Sequence, residues 1–125
     1  MELTLHAPAD ALLIRHWQPG QVRIGDRDHP LPLLLTPEHV QPWSAGPPRA
    51  WTPDQLQHHC QPLLEHRAEL WLVGTGEEPG LPEPRLLAWL AGQGLGCDFM
   101  PSRAACHTWN ILQADGRRAV MLLLG

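Results

Sequence analysis

Hydrophobic and polar positions along the first third of the chain follow the spacing of short strands. Residues 22–24 read apolar, polar, apolar, which is typical of a half-buried strand. Residues 11–17 and the apolar run 31–35 predict two more strands, and the second contains a proline, which favours an edge or a strand start. Turns are predicted at 19–20 and 25–28. This part of the chain is therefore predicted to be an antiparallel meander.

From residue 52 onward, helical and strand patterns alternate. Thr52 and Gln55 form a capping box around a proline at the first helical position, which predicts a helix start. Further helices are predicted at about 82–91 and 102–113, and apolar strands at 70–73, 96–100 and 119–123. The alternation predicts an α/β fold of three layers, with parallel strands and an antiparallel N-terminal β extension. We expect a single domain over residues 1–125.

Composition narrows the functional classes. The chain is 43% hydrophobic and 18% charged with a net charge of −4, which is typical of a globular protein. It contains no lysine and its arginines are scattered, so nucleic acid is not an expected partner. No segment approaches the ~20 apolar residues of a membrane span, and the first residues lack the basic lead of a signal peptide. Three cysteines predict no disulfide framework, and we expect a cytoplasmic, reduced protein.

Two loops follow predicted parallel strands, at the edge where α/β sheets collect ligands. The first is Gly74-Thr75-Gly76 and the second is 100–102. The first loop does not fit a dinucleotide fingerprint, because Pro79 stands at the third glycine position and two glutamates lie where phosphate would approach. The other interpretation is that the glycines supply backbone angles that other residues avoid.

The second loop opens a helix with a polar stripe. Ser102, Cys106 and Asn110 recur at every fourth position, and Ser102 is predicted to cap the helix. A thiol near a helix N-terminus is a candidate nucleophile, but a buried cysteine is the commoner case and is the one we favour. In the cluster His58-His59-Cys60, with His66 downstream, only His59 and His66 share a helix face, and no paired C-x-x-C is present, so we predict no metal site. We also expect no cofactor.

Six tryptophans are many for a chain of 125 residues. Trp43 and Trp51 lie in the proline-rich segment 41–53. Such residues either pack over the edge of a core or anchor a protein partner, because tryptophan is enriched in interface hot spots. The sequence leaves both alternatives open.

Three stretches together resemble a known family. They are IGDRDHPLPLLLTPEHVQPW, then GTGE, then MPSRAACHTWNILQADGRRAVMLLL. They are similar to the domain-of-unknown-function family that includes the mitochondrial respiratory complex I assembly factor 3 and small bacterial proteins. The resemblance implies a three-layer α/β fold with a mixed central sheet and no established enzymatic activity. The chain departs from the family pattern at Trp109, where tyrosine is usual, and at Pro101-Ser102, where a polar residue and threonine are usual.

These observations lead to three functional hypotheses. The first is a non-enzymatic protein-binding or assembly-factor-like module in a bacterial cytoplasm, which the resemblance implies. The second is binding of an unidentified small molecule or anion in a cleft at the strand ends. The third is thiol chemistry at Cys106. The predicted cleft residues are Gly74, Thr75, Gly76, Ser102, Arg103, Cys106 and Asn110.

Overall fold

The protein forms eight strands and one long helix within the part of the chain that the structure describes. The computed structural model describes residues 11–43, 52, 54–55, 57–58, 68, 70–77, 84, 88, 91–92 and 96–125. The elements are β1 (Ile14–Gln18), β2 (Gln21–Ile24), β3 (Arg27–Pro30), β4 (Leu33–Leu35), β5 (Val40–Pro42), β6 (Leu70–Gly74), β7 (Gly96–Met100), α1 (Ser102–Ala114) and β8 (Ala119–Leu123).

Strands β1, β2 and β3 form a three-stranded antiparallel sheet in chain order. Its inner face carries Trp17 and Val22, which are buried, while Arg23 between the buried positions of β2 is exposed. The predicted antiparallel arrangement is confirmed for β1 and β2, whereas β3 was not predicted as a strand. The predicted turn 25–28 is too long, because Ile24 already pairs with Arg27 and the chain reverses within two residues.

The second sheet has five strands in the order β5-β4-β8-β6-β7. Strand β4 was assigned to the meander but pairs antiparallel with β8, where Leu33 lies opposite Leu123. Local patterning cannot reveal this pairing, because it joins residues about 90 positions apart and depends on the apolar strand β4 entering the core. Strand β5, which the sequence did not predict, adds to the outer edge of β4.

The centre of this sheet is parallel, as the helix and strand alternation predicted. Strand β6 lies between β7 and β8 and runs parallel to both. Gly74 at its carboxyl end lies level with Met100 of β7 and with Leu123 of β8. Together with the antiparallel strands β4 and β5, this makes a mixed sheet, and the α/β fold class is confirmed. The three strands also end at one edge, so the loops that leave them are neighbours.

Helix α1 joins the two sheets into one core. Its buried residues Ala105, Trp109 and Leu112 pack in a single cluster with residues of both sheets. A second cluster lies on the other face of the five-stranded sheet and contains Trp71 and Trp43. Trp43 is only 5% exposed, so of its two predicted roles the structure supports packing at the core edge. Trp51 lies outside the described residues.

The first predicted helix begins as expected. Thr52 Oγ1 accepts from the Gln55 N–H at 3.3 Å, and the Thr52 N–H donates to Gln55 Oε1 at 3.2 Å, which is a reciprocal capping box. Residues 54–55 and 57–58 are helical, and so are 84, 88 and 91 within the second predicted helix and 92 just beyond it. The remaining residues of these two helices lie outside the described part of the chain. The single-domain organisation stays a prediction.

Candidate functional site

The two strand-end loops are in direct contact, as the parallel sheet requires. An atom added at the Cβ position of Gly74 would lie 2.6 Å from Leu123 Cδ1 and 3.1 Å from the Cα atom of Ser102. The first distance is shorter than real Cβ contacts and the second is tighter than most, so a larger residue at position 74 would displace the leucine side chain and the start of α1. Gly76 has a φ of +90°, which lets the loop turn towards α1.

The polar groups of these loops bond to one another. The Gly76 N–H donates to Ser102 Oγ at 2.8 Å, and the Ser102 N–H donates to the Gly76 carbonyl at 2.8 Å. The Ser102 hydroxyl in turn donates to the Gly125 carbonyl at 2.7 Å. The Thr75 N–H is bound to the Met100 carbonyl at 3.0 Å. Residue 125 thus lies where the two loops meet, and the Ser102 hydroxyl links the backbone of Gly76 to that of Gly125.

The predicted helix cap at Ser102 is wrong. Helix α1 has Pro101 at its N-cap and no side-chain capping bond, and Ser102 is its first helical residue. The Ser102 side chain is fully buried and its oxygen is engaged with Gly76 and Gly125 instead. The sequence alone cannot identify these partners of the Ser102 hydroxyl, because both are backbone groups of segments that are remote along the chain. The polar side chain therefore ties loop to helix rather than capping the helix.

The other predicted site residues lie further along α1, beside the three-stranded sheet. Asn110 Nδ2 donates to the Ile14 carbonyl at 2.8 Å, and Asn110 Oδ1 accepts from the Ile14 N–H at 2.8 Å. Both functions of this amide are used to hold the start of β1. The Arg103 guanidinium lies over the ring of Trp17, 5.2 Å from its centroid. Ile14 and Trp17 were not among the predicted site residues, because these contacts span about 90 positions of the chain.

Cys106 is buried, as the interpretation that we favoured predicted, with an exposed fraction of 6%. Burial raises the pKa of its thiol to about 12, and the positive charge of Arg103 offsets this only in part. Burial likewise raises the pKa of Cys97 to about 12, with a further contribution from the charge of Asp98. Neither thiol is ionised at neutral pH, so neither carries the thiolate that nucleophilic chemistry needs.

Among the residues that the structure describes, no group of three or more His, Cys, Asp or Glu side chains is arranged to hold a metal ion. Of the histidine and cysteine cluster singled out in the sequence, only His58 is described, and it is exposed. His59, Cys60 and His66 lie outside the described residues. The expectation that no metal or cofactor binds stays a prediction.

The match to a family model covers almost all of this arrangement. The model for the protein of unknown function family DUF498/DUF598 matches residues 14–124, from the start of β1 to one residue past the last strand. The chain belongs to the DUF498 family. The resemblance stated from the sequence is thereby confirmed.

Relatives of this DUF498 member include a bacterial protein and a bovine protein. The chain is 33% identical over 107 residues to a "13 kDa major membrane protein" of Francisella tularensis, covering 82% of this chain and 80% of that protein. It is 29% identical over 86 residues to the bovine "NADH dehydrogenase [ubiquinone] 1 alpha subcomplex assembly factor 3". That match covers 69% of this chain but 46% of the bovine protein, so the chain spans about half the length of that relative.

Solved structures share the fold. A protein from Bordetella parapertussis is 32% identical, with a TM-score of 0.78 and coverage of 94% of this chain and 98% of that one. A Bordetella pertussis protein described as a Mth938-like domain has a TM-score of 0.75 at 26% identity, covering 99% and 92% of the two chains. The DUF498 chain therefore has the Mth938-like α/β fold. No helix formed by its described residues is long and apolar enough to cross a membrane.

Proposed function

We propose that this DUF498 protein is a non-enzymatic module that binds a protein partner in the manner of an assembly factor. The observation that carries the proposal is its similarity to assembly factor 3, which extends over 69% of the chain. The matched length covers most of a chain whose elements pack in a shared core, so the two proteins have more in common than a short motif. A role in binding other proteins needs a stable surface and no reactive group.

The geometry of the strand ends agrees with a non-enzymatic role. In many α/β enzymes, free backbone amides at this edge bind the substrate. Here the N–H groups of Thr75 and Gly76 are bonded to Met100 and Ser102. The Cys106 thiol is buried and protonated at neutral pH, because burial raises its pKa to about 12. No contact of the described residues favours small-molecule binding or thiol chemistry over protein binding.

The test is recovery of a partner at defined stoichiometry. The tagged chain is purified under mild conditions from a native extract of its source organism, and the mass of each complex is measured by native mass spectrometry. We expect a heteromeric complex with a reproducible subunit ratio. A chain that runs alone, or only with copies of itself, contradicts the proposal.

The same preparation separates this function from the small-molecule alternative. NMR titration of the purified chain with metabolite mixtures reports on the amides of Gly76 and Ser102. Shifts confined to these residues, together with no protein partner, would replace the proposed function by ligand binding at the strand ends. A cytoplasmic location is part of the proposal, and recovery of the chain in the membrane fraction after cell lysis would contradict it.

A further inference from the structure

A shallow depression lies between α1 and the first strand, apart from the strand-end contact. Its volume is about 210 Å³, and four of its lining side chains are arginines or histidines. They are Arg15, His16, Arg103 and His107, all exposed. We call this feature the basic depression. It is locally positive on a chain whose net charge is −4.

A β-bulge gives the basic depression its shape. In the pairing of β1 with β2, Ile14 lies opposite Ile24 and the next paired residue is His16, so Arg15 is the extra residue. A bulge turns the side chain of the extra residue away from the regular alternation. The bulge is held on both sides, because Asn110 binds the backbone of Ile14 and the Trp17 indole donates to the Gly125 carbonyl at 3.0 Å.

The two arginines of the basic depression lack the ion pairs that two other arginines of the chain form. Arg23 forms an ion pair with Asp28, at 2.9 Å between Nε and Oδ1, and Arg118 pairs with Glu38. By contrast, Arg15 and Arg103 have no acidic partner among the described residues, and none of the described residues that line the depression is an aspartate or a glutamate. Arg103 is held by its stacking on Trp17, which leaves the guanidinium edge able to donate. Two un-neutralised guanidinium groups thus flank one concave surface.

Carboxylates are the groups that such a pair of arginines recognises, because a guanidinium donates two parallel hydrogen bonds to a carboxylate. Each exposed ion pair contributes little by itself, so useful affinity requires several carboxylates on one chain. Nucleic acid fits less well. The indole within the depression, that of Trp17, is 6% exposed and covered by Arg103, so it offers no free face to stack on a base.

We propose that the basic depression is the docking surface for an acidic peptide segment of a protein partner. This inference rests on the proposed partner-binding function and specifies the chemistry of the partner. Arg15 and Arg103 provide the charge, and the bulge and the stacked Trp17 hold them in place.

The probe is a fluorescein-labelled peptide of six glutamates, and binding to the purified chain is followed by fluorescence anisotropy. We expect saturable binding that weakens as the salt concentration rises, because exposed charges are screened. The double variant Arg15→Glu/Arg103→Glu should weaken binding at least ~10-fold, since it replaces two attractions by repulsions. A peptide of six glutamines should not bind.

Arg27→Glu is the matched control for the single variant Arg15→Glu, because both change the net charge by the same amount. Arg27 is an exposed arginine on β3 outside the lining of the depression, so the substitution changes the net charge without changing the surface. We expect it to alter affinity less than ~2-fold, because its charge is remote and screened. The single variant Arg15→Glu separates loss of binding from loss of folding. Arg15 makes no contact that holds the fold in the described structure, whereas Arg103 stacks on Trp17.

Indole N–H signals locate the binding. On adding the peptide, the Trp17 signal should shift, while those of Trp71 and Trp109, which are at most 1% exposed, should not. The inference is overturned if the glutamate peptide does not bind, if the double variant binds it as well as the unchanged chain, or if an oligothymidylate binds more tightly through the same arginines. These results need no cellular partner, so they are independent of the purification that tests the proposed function. A double variant that keeps its cellular partner overturns the docking site and leaves that function standing.

Discussion

Substituting Gly74 with alanine tests whether the contact between β6 and α1 is as close as the structure indicates. The added methyl group would lie 2.6 Å from Leu123 Cδ1, 2.9 Å from Ser102 Oγ and 3.1 Å from Ser102 Cα. The leucine can turn aside, but the Cα atom belongs to the helix backbone and moves only if α1 moves. The substitution therefore requires the start of α1 to shift by a few tenths of an ångström away from the end of β6.

The expected change in the free energy of unfolding of Gly74→Ala is the sum of two opposed effects. Overpacking a core costs about 1–3 kcal/mol, and replacing a glycine in a strand by alanine recovers about 0.5–1 kcal/mol. The net expectation is a loss of about 1–2 kcal/mol in the free energy of unfolding. For a chain of 125 residues, the entropy of unfolding is about 0.26 kcal/mol per kelvin, so Tm should fall by about 4–8 °C.

Urea unfolding followed by circular dichroism measures this loss, with Gly92→Ala as the matched control. Gly92 is helical and exposed, and nothing lies within 4 Å of its added Cβ, so alanine there should stabilise the chain by up to about 1 kcal/mol. Shortening the leucine in Gly74→Ala/Leu123→Val removes the 2.6 Å contact and should recover part of the loss relative to the sum of the single changes. A Gly74→Ala protein as stable as the unchanged chain would refute the close contact.

Three further predictions concern the polar residues of α1. Ser102→Ala removes the acceptor of the Gly76 N–H and should lower the free energy of unfolding by about 1–3 kcal/mol in urea titrations; an unchanged midpoint would contradict the role of this hydroxyl. Cys106 should react with iodoacetamide at pH 7.5 at least ~10-fold more slowly in the folded chain than in the same chain in urea, because burial raises the pKa of its thiol to about 12. Peptide mapping measures both rates, and equal rates would refute this prediction. Asn110→Ala should speed hydrogen exchange of the Ile14 amide, whose acceptor it removes, and unchanged exchange would show that the bulge does not depend on this side chain.

Local patterns in the sequence were sufficient to predict the elements whose structure depends little on contacts with remote parts of the chain. The apolar run at β8 was predicted with its observed limits, because a strand buried on both faces is apolar at every position. The capping box at Thr52 and Gln55 was also predicted correctly, since both partners lie within one helical turn. Helix and strand alternation was enough to predict that the strands near Gly74 and Met100 are parallel and end together.

The tertiary structure alone decided what the polar residues at those strand ends do. Ser102 and Asn110 have the chemistry of binding residues, but their partners are backbone groups of residues 76, 125 and 14, which approach only when the sheets and α1 pack. The bulge that exposes Arg15 depends in the same way on the register between β1 and β2. Sequence determined which side chains carry hydrogen-bonding groups and charge. Packing decided which of them are bonded inside the fold and which, as in the basic depression, remain exposed, because a buried polar group takes the nearest complementary group that the fold supplies.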